Sequence, residues 1–309
     1  MERRNFIKSA AGGFALAGMG GMATIASAAT APSRVSNKAK FTLKYAPTLG
    51  MFNQNVGKDP VDNLKFIADQ GFRGVYDLGL IGRPPADQEK IADEGRKLGL
   101  EWGQFSLKTA GGITFVLDSD TTRDFIKERM LAGLELQKRT GINKGLVVLG
   151  NVDPKLHLEY QTANVIENLR RCCGMVEDAG LMLVLEPLNT LVNHPGVFLQ
   201  RTTQAKMICV AVNHPCCKMV NDLYHQQVTE GNLIPNMEMC WDYIGSLHTG
   251  DNPGRNEPTS GEINYKNIFK YLHEKKKYTE VISCEHGQSK PGKEGELAII
   301  QAYREVDPE

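Results

Sequence analysis

The sequence lacks a surplus of charge of either sign. Its 309 residues include 36 lysines and arginines and 36 aspartates and glutamates, so the formal net charge at pH 7 is zero. Proteins dedicated to nucleic acids or to anionic membranes usually carry a basic excess. The composition therefore argues against nucleic acid as a partner and suits an enzyme that acts on a small, weakly charged molecule.

The sequence also lacks a cysteine framework. Its seven cysteines include no C-x-x-C pair and no zinc-finger spacing. An odd number leaves at least one thiol unpaired, and the adjacent pairs Cys172-Cys173 and Cys216-Cys217 are awkward for disulfide bonds. We interpret the cysteines as small buried hydrophobic residues.

The apolar run near the N terminus is too short and too rich in glycine for a stable membrane span. It follows Arg3-Arg4 and precedes Ala26-Ser27-Ala28. Export signals have this order: an arginine pair, an apolar stretch and a small-x-small cleavage site. These features predict a twin-arginine (Tat) export signal over residues 1–28. The Tat machinery is thus an expected partner, and the expected location is periplasmic or otherwise exported.

Residues 40–309 contain no linker and no low-complexity segment, which predicts a single domain. Short β-rich runs alternate there with helical patterns, as in βα units with a parallel sheet. The runs lie at 41–46, 74–78, 100–106, 145–151, 181–186, 217–223, 243–249 and 280–286. Eight strands in about 270 residues match a (β/α)₈ TIM barrel, so the predicted fold class is α/β. The alternative, a doubly wound sheet, is disfavoured because no G-x-G-x-x-G follows the first strand.

Polar residues stand at the ends of the last four predicted strands. They are Glu186, Asp222, His248 and Glu285, each in a separate βα unit. Active sites of TIM barrels lie at the carboxyl ends of the strands, so these side chains are predicted to converge on one point. Three carboxylates and one imidazole suit Mg²⁺ or Mn²⁺, with Co²⁺ or Zn²⁺ as alternatives.

The segments around these residues resemble a known family. The stretches "LVLEPLN" (183–189), "FLQRTTQA" (198–205), "KMVNDLYHQQVTEGN" (218–232) and "PGRNEPTSGEINY" (253–265) are similar to those of the hydroxypyruvate isomerases. More broadly, they resemble the xylose isomerase-like barrel superfamily of metal-dependent sugar isomerases and epimerases. The resemblance covers roughly residues 40 to 290 and is densest from 181 to 273.

The resemblance implies a division of roles among these residues. It implies that Glu186 and Glu285 bind the metal and act as acid and base, and that Asp222 completes the metal site. It also implies that His225 and Arg255 lie over the substrate, and it makes Glu257 a candidate substrate contact. The implied reaction isomerises a small hydroxy-carbonyl compound or sugar: the metal stabilises an enediolate while the two carboxylates move the proton.

Three other functions stay open at this point. Histidine at the position of His248 resembles the ketose epimerases of the tagatose and allulose type, and the same ligands serve isomerisation and 3-epimerisation. A DNA-repair endonuclease on the same barrel would need more histidine ligands and a basic groove. A non-catalytic periplasmic sugar-binding protein fits the export signal, whereas the presence of both glutamates favours catalysis. Homo-oligomer formation is also left open.

Overall fold

The structure of the protein, a computed structural model, describes residues 39–109 and 113–309. The predicted export signal, residues 1–28, lies outside these described residues. Within them, no helix combines the length and the apolar character that crossing a membrane requires.

Parallel strands form the centre of the described region. Their bounds are β1 Lys44–Pro47, β2 Gly74–Val75, β3 Glu101–Trp102, β4 Phe105–Ser106, β5 Lys144–Val147, β6 Met182–Leu185, β7 Cys217–Asp222, β8 Ile244–Thr249 and β9 Val281–Cys284. The strands β3 and β4 are two halves of the third predicted strand, which is interrupted at Gly103 and Gln104. The nine strands thus occupy eight strand positions.

The strands follow one another around a barrel. Seven of them form a sheet in the order β1-β9-β8-β7-β6-β5-β4, and β2 pairs with β3. The ring continues from β1 to β2 because Tyr76 donates its backbone N–H to the carbonyl of Pro47 and accepts the N–H of Leu49. It continues from β2 to β4 because Ser106 donates its N–H to the carbonyl of Leu78. The predicted TIM barrel is confirmed.

Helices connect successive strands and cover the outside of the barrel. The α-helices are α1 Asn53–Val56, α2 Pro60–Asp69, α3 Pro85–Lys97, α4 Asp120–Thr140, α5 Leu158–Val176, α6 Thr202–Val212, α7 Leu223–Thr229, α8 Leu233–Cys240, α9 Tyr265–Glu274 and α10 Gly292–Val306. Short 3₁₀ helices span Leu80–Gly82, Glu177–Ala179 and Trp241–Tyr243. Gly141 directly follows the last residue of α4, and in its left-handed conformation (φ 71°) it donates its backbone N–H to the carbonyl of Gln137. Glycine adopts this conformation without steric cost and is therefore favoured directly after a helix.

Strand alternation decides which residues reach the inside of the barrel. In β6, Leu183 and Leu185 belong to the large core between strands and helices. Val184 packs instead in a small cluster with Leu146 and Val220. Glu186 follows β6 two residues after Val184, so it continues the inward-facing row at the carboxyl end of the barrel.

The cysteines behave as small hydrophobic residues. All seven lie in the described part of the chain, none is joined in a disulfide, and six are buried. This arrangement agrees with the interpretation drawn from their spacing.

Candidate metal centre

Four side chains from neighbouring strands meet at the carboxyl end of the barrel. Glu186 follows β6, Asp222 ends β7, His248 lies in β8 and Glu285 follows β9. One potential ligand atom from each residue lies within 4.8 Å of the other three. Glu186, Asp222 and His248 are buried, and the side chain of Glu285 is 21% exposed. The structure therefore brings together all four predicted ligands.

The four potential ligand atoms lie around a common point, and most of them form no hydrogen bond with one another. His248 Nδ1 lies 2.5 Å from Glu285 Oε2, 3.3 Å from Glu186 Oε1 and 3.7 Å from Asp222 Oδ2. Yet this nitrogen, Glu186 Oε1 and Glu285 Oε2 find no partner with hydrogen-bond geometry among the described residues. Buried polar atoms are normally hydrogen-bonded, and buried charges are paired or coordinate metals. Three oxygens and one nitrogen in this arrangement fit a divalent metal ion.

The protonation states of the four side chains depend on their burial and on the charges of their neighbours. Burial, and then the neighbouring Glu285, raise the pKa of Glu186 to about 7. Burial lowers the pKa of His248, but Glu285 and Asp222 outweigh it and hold that pKa well above the usual range. Metal ligands must be deprotonated. Protons on Glu186 and His248 would therefore compete with a metal ion at this point.

Asp222 and Glu285 remain carboxylates. Burial acts to raise both pKa values, yet both lie below the ordinary range. For Asp222 the counteracting groups are chiefly His225, His248 and Arg255. For Glu285 they are His248 and Arg255. Two of the four ligand positions thus carry negative charge before any cation binds.

Arg255 lies beside two of the metal-facing carboxylates. Its Nη2 is 3.0 Å from Asp222 Oδ2 and 3.2 Å from Glu285 Oε2. Its Nε donates to the backbone carbonyl of Glu285, and its guanidinium lies 5.1 Å from the ring centroid of Tyr224. This places the predicted substrate-binding arginine at the site, where its planar fork can meet a carboxylate or several sugar oxygens.

Glu257, predicted as a substrate contact, is placed elsewhere. It is buried, and its carboxylate accepts hydrogen bonds from the backbone N–H and the hydroxyl of Ser289. The described residues that line the cavities beside the metal-facing atoms do not include it. A buried carboxylate needs hydrogen-bond donors, and Ser289 supplies them. The contact between Glu257 and Ser289 therefore connects the loop after β8, which contains Arg255, to the loop after β9.

His225 lies in the first turn of α7 with its ring held by Asn189. Its Nδ1 is 3.3 Å from the backbone nitrogen of Asn189 and 2.6 Å from the side-chain Nδ2. The Oδ1 of Asn189 accepts the N–H groups of Val192 and Asn193, so the amide must present its NH₂ group to the ring. Nδ1 is therefore the acceptor, and the proton lies on Nε2.

The Nε2–H group of His225 is available to a ligand. It has no hydrogen-bond partner within the described part of the chain, and His225 lines the same cavity as Glu186 and Glu285. Burial lowers the pKa of His225 to about 4. The ring is thus a neutral hydrogen-bond donor near pH 7. No sequence pattern predicted a role for Asn189, although it stands three residues after Glu186.

Two cavities adjoin the metal-facing side chains, and a third adjoins the smaller of them. One of about 160 Å³ is lined by Val148, Glu186, Leu188, His194, His225, Arg255 and Glu285. A second, of about 390 Å³, includes Asp77, Arg255 and Glu285 in its wall. A third, of about 640 Å³, shares Val148, Leu188 and His194 with the first and continues to Asn151 and Lys155. His194 therefore stands between the metal-facing atoms and a larger space, a position that its sequence context does not indicate.

Comparisons with known proteins agree with this geometry. A family model described as xylose isomerase-like TIM barrel matches residues 64–305. Hydroxypyruvate isomerase of Escherichia coli K12 is 33% identical over 162 residues, which cover 52% of this chain and 61% of that protein. The chain thus spans less than two thirds of that relative's length.

One longer sequence match supports the same relationship, and a solved structure shares the fold. The 2-oxo-tetronate isomerase of Pectobacterium atrosepticum is 28% identical over 248 residues, covering 79% of this chain and 91% of that protein. Among solved structures, the crystal structure of AP endonuclease, family 2, from Brucella melitensis has a TM-score of 0.71 at 24% identity. That match covers 82% of this chain and 96% of the other, and it is a likeness of fold.

Proposed function

The chain belongs to the xylose isomerase-like TIM barrel family, and on that basis we propose that it is a metal-dependent isomerase of small α-hydroxy carbonyl compounds, similar to the hydroxypyruvate isomerases. The observation that carries the proposal is the buried group of four ligand atoms within 4.8 Å of one another. Glu186, Asp222, His248 and Glu285 would hold Mg²⁺ or Mn²⁺, with Co²⁺ or Zn²⁺ as alternatives. When bound, the metal supplies Lewis-acid stabilisation of negative charge on a substrate oxygen.

The chain's own residues supply the proton transfers and the orientation. Glu186 and Glu285 line one cavity, so a substrate held there lies within reach of both. One carboxylate takes the proton from the carbon next to the carbonyl, and the other returns a proton elsewhere. His225 donates from Nε2 to a substrate oxygen, while Arg255 binds a carboxylate or hydroxyl oxygens at the mouth of the cavity.

A second candidate function, 3-epimerisation of a ketose, is supported by the space beside the site. The cavity of about 160 Å³ next to the metal-facing atoms shares three wall residues with the cavity of about 640 Å³. A three-carbon acid has no use for the larger space, whereas a ketose can extend its remaining carbons past His194. Both reactions begin with the same proton abstraction, so the substrate decides between them.

Removing the metal and testing a series of substrates examines the proposal directly. We expect the protein stripped with a chelator to be inactive and added Mn²⁺ to restore turnover. Hydroxypyruvate, 2-oxo-tetronate, tagatose and allulose form the series, and NMR in D₂O separates movement of the carbonyl from inversion at carbon 3. If calorimetry shows that a sugar binds but no substrate is turned over with Mg²⁺, Mn²⁺, Co²⁺ or Zn²⁺, the result would contradict an enzymatic function and favour the sugar-binding role.

We also propose export through the Tat pathway, which carries proteins already folded. The support is the order of Arg3-Arg4, the apolar run and Ala26-Ser27-Ala28. We expect the periplasmic protein to begin near residue 29 by mass spectrometry. Replacing Arg3 and Arg4 together by lysine should retain the chain in the cytoplasm, whereas the control Lys8→Arg should not. A periplasmic chain that still carries Met1 contradicts cleavage.

A further inference from the structure

Gln104 is a buried amide directly behind His248. It lies in the interruption between β3 and β4 and is 1% exposed. Its Nε2 contacts His248 Nε2, and its Oε1 accepts the hydroxyls of Ser246 at 2.9 Å and Ser283 at 3.2 Å. Ser246 precedes His248 by two residues and Ser283 precedes Glu285 by two, so both belong to the inward-facing layer beneath the metal-facing atoms.

The two ring nitrogens of His248 face different partners. Nδ1 faces the carboxylates, whereas Nε2 faces Gln104. A neutral imidazole carries one proton. A metal ion in front of Nδ1 requires a lone pair there, so the proton that remains on the ring lies on Nε2 and needs an acceptor behind the ring. Of the two ends of the Gln104 amide, only Oε1 can accept that proton.

With its amide turned so that Oε1 faces the ring, Gln104 supplies this acceptor. Oε1 then accepts the Nε2–H of His248, and the NH₂ group donates to the hydroxyls of Ser246 and Ser283. A serine hydroxyl both donates and accepts, so every polar group keeps a partner in either orientation. We propose that Gln104 is the positioning residue of His248, and that its Oε1, with the amide held by the two serines, stabilises the metal-binding tautomer. The inference rests on the proposed metal site.

Three variants test this role through metal affinity. Gln104→Leu removes the acceptor, and we expect Mn²⁺ affinity by calorimetry to fall about 10- to 100-fold, as for loss of other groups that orient a metal-ligating histidine. Gln104→Glu always accepts from Nε2–H, so affinity should match or exceed that of the wild type. The control is Gln88→Leu, which removes a buried amide of α3 that bonds only backbone carbonyls and Arg139 among the described residues. It should leave metal affinity unchanged.

The tautomer itself provides a readout that a merely structural role would not change. In the wild type, long-range ¹⁵N–¹H NMR should show the His248 proton on Nδ1 at alkaline pH without metal. Adding diamagnetic Zn²⁺ should move it to Nε2. In Gln104→Glu, Nε2 should already be protonated before Zn²⁺ is added.

Several outcomes would overturn the proposal. They are wild-type Mn²⁺ affinity in Gln104→Leu, an unchanged tautomer with Zn²⁺, or no divalent metal binding by the wild type. If Gln104→Leu does not fold, Gln104→Glu decides, since a tenfold or larger loss of affinity in that variant also overturns it. Failure of the isomerase proposal is separate: metal binding with the expected tautomer but no turnover leaves the role of Gln104 intact.

Discussion

Replacing Glu285 by glutamine is expected to abolish turnover and to weaken metal binding. The change keeps the shape of the side chain but removes a negative charge and the ability to take up a proton. Losing a general acid or base typically costs about 10²- to 10⁴-fold in rate, and losing a charged ligand adds to that cost. His225→Ala should instead impair turnover while metal affinity stays near that of the wild type, because His225 lies outside the group of four ligand atoms.

Calorimetric metal affinity and turnover at saturating Mn²⁺ separate these two variants. Glu257→Gln is the matched control, since Glu257 is also buried but bonds Ser289 rather than facing the metal point. We expect it to retain metal affinity. Near-normal turnover by Glu285→Gln would show that the two-glutamate mechanism is wrong and that another base, or a binding role, must replace it.

Asp222→Asn is expected to remove the stabilisation that a metal gives to the folded protein. In Asp222, Oδ1 caps α7 by accepting the N–H of His225 at 2.9 Å, while Oδ2 faces Arg255 and His248. Asparagine caps helices about as well as aspartate, so the variant should fold. It lacks the ligand charge. A metal at 100 times its Kd stabilises the native state by about 2.7 kcal/mol, and this contribution should largely disappear.

Thermal unfolding with and without Mn²⁺ measures the effect. The wild type and the exposed control Asp178→Asn should both melt at higher temperature with Mn²⁺, whereas Asp222→Asn should barely respond. Asp222→Ala should in addition lose about 1 kcal/mol without metal, because the cap is gone. An Mn²⁺-dependent rise in Asp222→Asn equal to that of the wild type would exclude Asp222 as a ligand.

Local patterns were sufficient to predict the architecture. Apolar runs such as "LMLVLE" (181–186) and the regular alternation of strands with helices follow from side-chain periodicity, which is a property of neighbouring residues. The strands differ in detail: β2 has two residues, and the third predicted strand is split in two. Backbone pairing depends on neighbouring strands as well as on composition, so the sequence pattern could not define these ends.

The candidate ligands were predictable for a related reason. In a parallel barrel, the carboxyl ends of all strands lie at one end, so polar residues that end successive strands must approach one another. Glu186, Asp222 and Glu285 satisfied that rule together with a strand-end histidine. Glu257 was also drawn from a motif, but a motif does not specify direction, and Ser289 on another loop holds its carboxylate.

The barrel, its strand positions and the residues at the strand ends could be inferred from the amino-acid sequence, because these depend on periodicity along the chain. The partners that hold each side chain in place became apparent only from the folded chain. Gln104 meets His248 across 144 residues, and Asn189 orients His225 across 36. Such contacts leave no local signature, since they depend on the distance and direction between side chains that folding alone brings together.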